Sequence, residues 1–223
     1  MWERTMNAMI ARPQTLIVVV GTGTEVGKTW FATALLTLAR THGRLVAARK
    51  PAQSFASDDT SPTDAERLAH ATGETSSQVC PRHRWYPLAM APPMAADALE
   101  LPQIAAADLL TEIQWPSQVD LGLVETAGGL RSPIAHDADN VQLLQALEPD
   151  QVILVSDAGL GTINAIRLCM QAMSGVKVIV YLNHFDANNL LHTRNRRWLA
   201  EHDQIETVTS IEECWKRISV KAS

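Results

Sequence analysis

Cysteine is scarce in this chain, with only Cys80, Cys169 and Cys214. Their number is odd and they lie far apart, so they form neither a disulfide framework nor a zinc-ligand pattern. The compartment this implies is a reducing cytoplasm. Basic blocks are missing too: 19 Lys and Arg stand against 24 Asp and Glu, a net charge of -5. Nucleic-acid binding therefore has no electrostatic footprint. No apolar run reaches about 18 residues, so no membrane span is expected. The opening segment MWERTMNAMIARPQ carries Glu3, Arg4 and Arg12 and no long apolar core, unlike a secretory signal. Residues 1–13 read as a flexible N-terminal extension. No Ser-His-Asp or Cys-His constellation can be traced, and none of the seven histidines has a catalytic context. No repeat or low-complexity segment occurs.

What is present suits one domain with a sizeable core: 223 residues, 46% hydrophobic and 19% charged. Short apolar runs alternate with helical patterns. Strands are expected at 15–20, 44–50, 119–125, 151–157 and 176–183. Helices are expected at 29–43, 63–73, 140–148, 163–173 and 189–202. The strands are nearly continuous in apolar residues, as buried parallel strands are. The fold class is therefore α/β, a mostly parallel sheet flanked by helices on both faces. The least regular part runs from Ala52 to Pro93. Polar clusters fall at five strand ends: Gly21 to Thr29, Lys50 to Ser54, Glu125 to Gly129, Asp157 to Asn164, and Asn183. In open parallel sheets, ligands sit at those ends.

The sharpest cluster is GTGTEVGKT, residues 21–29. The phosphate-loop template G-x-x-x-x-G-K-[ST], counted back from Gly27, needs its first glycine at position 22. That position is Thr22, and the glycine stands one place earlier, at Gly21. Between a strand and a helix, such a turn can aim backbone N–H groups at phosphate oxygens. Lys28 can then reach the outer phosphates and Thr29 can ligate magnesium. Glu125 ends a strand ahead of TAGG and can donate oxygen to a hard cation. Asp64 is either a second such donor or an acid capping its helix. Lys50 either closes an edge strand or balances charge beside a γ-phosphate. GLGTIN, 159–164, is either a second anion site at a helix start or a plain turn capped by Thr162. Asn183 is either a turn residue or a reader of a nucleotide base.

Together these blocks resemble the dethiobiotin synthetase family of P-loop NTPase-like enzymes. GTGTEVGKT is similar to the family's G-T-[DG]-T-x-V-G-K-T, which accounts for the glycine spacing. RKPAQS resembles K-P-[VI]-x-[ST], VETAGGLRSPI resembles V-E-G-A-G-G-x-x-x-P, and LGTIN resembles L-G-x-[IL]-N. The resemblance runs in order from about Leu16 to Asn183. It implies an ATP- and Mg2+-dependent ligase that closes 7,8-diaminononanoate and CO2 into a cyclic urea, working as a homodimer. Mapped by motif, Gly23, Thr24, Glu25, Val26, Gly27, Lys28 and Thr29 would form the nucleotide loop. Asn183 would face the adenine. Thr29, Asp64 and Glu125 would hold magnesium. Lys50, Lys28 and Thr24 would act on the transferring phosphoryl group. Glu25, Lys50 and Ser54 would lie on the diamine, and Gly161, Thr162 and Asn164 would take its carboxylate. Two departures stand out. Thr126 replaces the usual glycine after the strand-end Glu, where a Cβ could crowd the loop. IETVTSIEECW stands where the family often has G-x-[IL]-P.

Two other readings share parts of this pattern. An ATP-dependent amidoligase would keep the loop and the acids but lack the K-P and L-G-x-I-N blocks. A ParA/MinD-like ATPase switch would carry a lysine soon after the first glycine, and GTGTE has none.

Overall fold

The computed structural model describes residues 12–218. Most of the extension expected at residues 1–13 lies outside the described residues. Arg12 and Pro13 are described: the Arg12 guanidinium donates to the Leu147 carbonyl (3.2 Å) and Pro13 is buried.

The main sheet is built from β1 (Thr15–Gly21), β2 (Val46–Arg49), β5 (Leu121–Glu125), β6 (Gln151–Asp157), β7 (Val178–Asn183) and β8 (Thr207–Val208). Their order is β2-β5-β1-β6-β7-β8, and every pairing is parallel. A parallel sheet needs helices on both faces to bury its side chains. β1 shows why the sequence complies. Leu16, Val18 and Val20 enter one core, while Ile17 and Val19 enter the other. The first core is shared with α6 (Asn140–Leu147) and α7 (Thr162–Ala172), through Leu143, Leu144 and Ile166. The second is shared with α1 (Lys28–Thr41), α2 (Asp64–Thr72) and α9 (Ile211–Arg217), through Phe31, Leu35, Leu68 and Cys214. A further helix, α8 (Leu190–Asp203), follows β7.

The segment expected to be least regular, 52–93, carries several short elements. Two-residue strands β3 (Gln53–Ser54) and β4 (Trp85–Tyr86) pair in parallel. Between them lie α2, α3 (Ser76–Val79) and one turn of 3-10 helix, Arg82–Arg84. After them come α4 (Pro92–Ala98) and α5 (Ala106–Glu112). Reciprocal capping boxes, Thr63 with Glu66 and Thr75 with Gln78, start α2 and α3. The segment IETVTSIEECW forms β8 and α9. Elements this short have no legible period, and tertiary contacts hold them.

Because all strands run one way, their carboxyl ends share one edge. Val19 is level with Glu125, Gly21 with Val155, and Asp157 with Asn183. The five clusters singled out in the sequence meet along that edge.

Candidate functional site

The loop between β1 and α1 is shaped by two glycines. Gly27 has φ +91 and is the N-cap of α1, which has no side-chain cap. The first N–H groups of α1 therefore have no capping oxygen and face the loop. Gly21 is needed for a different reason. A Cβ there would lie 2.9 Å from the Gly23 carbonyl and 3.0 Å from Nζ of Lys28. The Lys28 side chain folds back across Gly21, and its ammonium donates to the Gly23 carbonyl at 2.9 Å. That contact gives the displaced glycine of the motif a physical cause. Thr24 and Glu25 sit exposed at the loop tip, Glu25 with φ 61.

Below the loop lies a cluster of charges. Lys50 follows β2 and is 2% exposed; Glu125 ends β5 and is fully buried. The Lys50 ammonium lies 2.5 Å from Glu125 Oε1 and 2.7 Å from Asp64 Oδ2. The Thr29 hydroxyl lies 2.8 Å from both Asp64 Oδ1 and Glu125 Oε1. Asp64 thus serves the cluster rather than the helix end, since Thr63 caps α2. Burial pushes the Lys50 ammonium towards neutrality, but Asp64 and Glu125 more than reverse this, so its pKa rises. Burial opposes the charge on Asp64, yet Lys50 and Thr29 hold its carboxyl down at about 2. Glu125 goes the other way: burial, helped by the Asp64 charge, raises it against the pull of Lys50. Burial and the neighbouring Lys50 lower the Lys28 ammonium to about 8.

Thr126, the departure from the family pattern, is accommodated. Among the described residues, positive φ outside glycine occurs at Glu25, Glu100, Glu148, His184 and Gln204, not at Thr126. Its N–H and its hydroxyl both donate to the Val19 carbonyl, at 3.0 and 3.3 Å. Its Cβ needs no left-handed backbone.

Thr162 begins α7, whose N-cap Gly161 has φ 90 and no side-chain cap. Its hydroxyl lies 2.9 Å from that of Ser156, which accepts from Thr22 at 3.2 Å. That chain ties the start of α7 to the phosphate loop. Asn164 shares a cleft of about 470 Å³ with Gly23, Thr24, Arg131 and Ser132. Ser54, in β3, is half-buried. Asn183 is packed behind the loop: its amide donates to the Val26 carbonyl at 3.0 Å.

Sequence reasoning missed Asn140. This fully buried residue opens α6 and donates from Nδ2 to the carbonyls of Ala127 and Gly129, each at 2.8 Å. It fastens the TAGG loop beside the phosphate loop. The sequence marked it only as a helix start. Asn140→Ala leaves two carbonyls without their donor, and the expected loss is about 2 kcal/mol. Urea unfolding measures it; a variant as stable as wild type would contradict this role.

A family model described as an AAA domain matches residues 15–214. The ATP-dependent dethiobiotin synthetase BioD of Caulobacter vibrioides is 36% identical over 196 residues, 83% of this chain and 88% of that protein. The protein of the same name from Rhodococcus jostii is 37% identical over 161 residues, covering 71% of this chain and 68% of its own. Among solved structures, a plasmid partition protein from Borrelia burgdorferi superposes with a TM-score of 0.53 at 12% identity. It covers 92% of this chain and 96% of its own. That likeness extends to the fold alone. With the ordered blocks and the charge cluster, these relatives settle the affiliation: the chain belongs to the ATP-dependent dethiobiotin synthetase family.

Proposed function

We propose that this chain joins CO2 to 7,8-diaminononanoate and closes the cyclic urea of dethiobiotin at the expense of ATP. The observation that carries this reading is the meeting of Lys28, Thr29, Lys50, Asp64 and Glu125 under a phosphate loop, in a chain of this family. One amine of the diamine adds to CO2 and loses a proton, giving a carbamate. A carbamate oxygen attacks the γ-phosphorus, and ADP leaves. The second amine attacks the carbonyl carbon of the mixed anhydride, loses a proton and expels phosphate. The nucleophile is already anionic, so no strong general base is needed. Positioning and charge neutralisation are the main demands of phosphoryl transfer.

The residues fit those demands. Lys50 is a buried cation whose charge is secured by two carboxylates. In this reading it would balance charge where a carbamate and a γ-phosphate meet. Lys28 and Thr24 would likewise serve the phosphate side, and Glu25 and Ser54 the diamine. Thr29, Asp64 and Glu125 bring hard oxygen donors together, each carboxylate 2.8 Å from the Thr29 hydroxyl, a donor set that suits Mg2+. Glu125 Oε2 is buried without a hydrogen-bond partner, a lone pair a cation would satisfy. Bound there, the ion would neutralise charge on the outer phosphates. The uncapped start of α7, with Gly161, Thr162 and Asn164, suits a carboxylate. Beside it Leu160 is 92% exposed and Leu168 59% exposed. Those side chains support a homodimer that covers this face. No helix among the described residues is long and apolar enough to cross a membrane.

Phosphate release tests the reading. It should require diamine, bicarbonate, ATP and Mg2+ together. Equal ATP hydrolysis without the diamine would favour an ATPase switch instead.

A further inference from the structure

We infer that an Asp157–His184 pair sets the nucleobase selectivity of this chain by fixing the amide of Asn183. The inference rests on the proposed placement of adenine at Asn183. His184 follows β7 with φ 54, a left-handed conformation uncommon outside glycine. That turn brings its ring against the ends of β6 and β7. Nδ1 lies 3.0 Å from Asp157 Oδ2, and Nε2 lies 3.3 Å from Asn183 Nδ2. Asp157 is itself held, because its other oxygen accepts from the Gly159 N–H at 2.7 Å.

With a neutral imidazole, the donor and acceptor count admits one arrangement. The Val26 carbonyl can only accept, so Asn183 must aim Nδ2 at it. A carboxylate can only accept, so His184 carries its proton on Nδ1 towards Asp157. Nε2 is then an acceptor, and it takes the second N–H of Asn183. Both amide hydrogens are spent inside the protein. Among the described residues Oδ1 has no hydrogen-bond partner, and it is not shut away from solvent. A base docked at Asn183 therefore meets an acceptor. The 6-amino group of adenine can donate to it. The 6-oxo group of hypoxanthine or guanine cannot, and it would face oxygen with oxygen. A flipped amide would accept the 6-oxo base, but it would break both internal bonds. His184 is a positioning residue here, since it acts through Asn183.

The test compares ATP with ITP, which differ at the 6-position of the base, by titration calorimetry without diamine. Wild type should bind ATP the more tightly. His184→Asn keeps a residue tolerant of left-handed backbone but is too short to bridge Asp157 and Asn183. Asp157→Ala releases the other end of the pair and alters an exposed residue. Each should shrink the ATP-to-ITP ratio about fivefold, the worth of one hydrogen bond. Parallel loss of both affinities, with the ratio unchanged, would overturn the inference. So would a wild type that binds the two nucleotides equally. A chain that binds neither nucleotide would overturn the proposed function along with it.

Discussion

Lys50→Met should lower turnover by about 10³-fold while ATP binding persists, the usual scale for losing one positioned charge at a phosphoryl or acyl centre. Met keeps most of the buried stem's volume. What it removes is the ammonium between Asp64 and Glu125. The two carboxylates then face each other with only the Thr29 hydroxyl between them. Breaking a buried ion pair from one side typically costs about 3–5 kcal/mol, so the variant should melt lower than wild type in EDTA. Added Mg2+ should recover much of that loss, because the same oxygens suit the ion. Calorimetric melting with and without Mg2+, set beside turnover, separates the two roles of Lys50. A variant that turns over normally would remove Lys50 from the chemistry. One that stays unfolded in Mg2+ and ATP would leave it only a structural role.

Gly27→Ala should weaken ATP binding by about 10²-fold or more. Gly27 has φ +91, where an L side chain is strained by roughly 1 kcal/mol or more. The added Cβ would also lie 2.0 Å from Asn183 Nδ2. Asn183 cannot step aside cheaply, because its amide is bonded to the Val26 carbonyl and lies against His184. Either the loop opens or Asn183 leaves, and both spoil the cradle for the phosphates. Titration with ATP measures the loss. Unchanged affinity would mean that the loop does not hold phosphate in this shape.

The sheet was legible because its strands are uninterrupted apolar runs ended by polar residues. The expected strand at 151–157 matches β6 residue for residue, and the one at 15–20 falls a single residue short of β1. The same rule exposed Lys50, Glu125 and Asn183, each at the carboxyl end of a strand. Their partners were not legible. Lys50 and Glu125 are 75 residues apart, and Asn183 and Val26 are 157 apart. No local pattern encodes such pairs. Asp64 could be read locally as a cap, and only the fold hands that role to Thr63. Thr126 looked like an obstacle because its φ could not be read from the sequence. Asn140 was passed over because it works through a neighbouring loop, and His184 because its contacts are to Asn183 and Asp157 rather than to any motif of its own. Short β3, β4, β8 and α9 carry too few residues to show a period.

The most direct measurement is product formation from labelled carbon. Purified protein with MgATP, labelled bicarbonate and 7,8-diaminononanoate should yield acid-stable label in a product with the mass of dethiobiotin, one phosphate released per ring closed. ATP consumed at the same rate without the diamine, with no acid-stable label, would contradict the account.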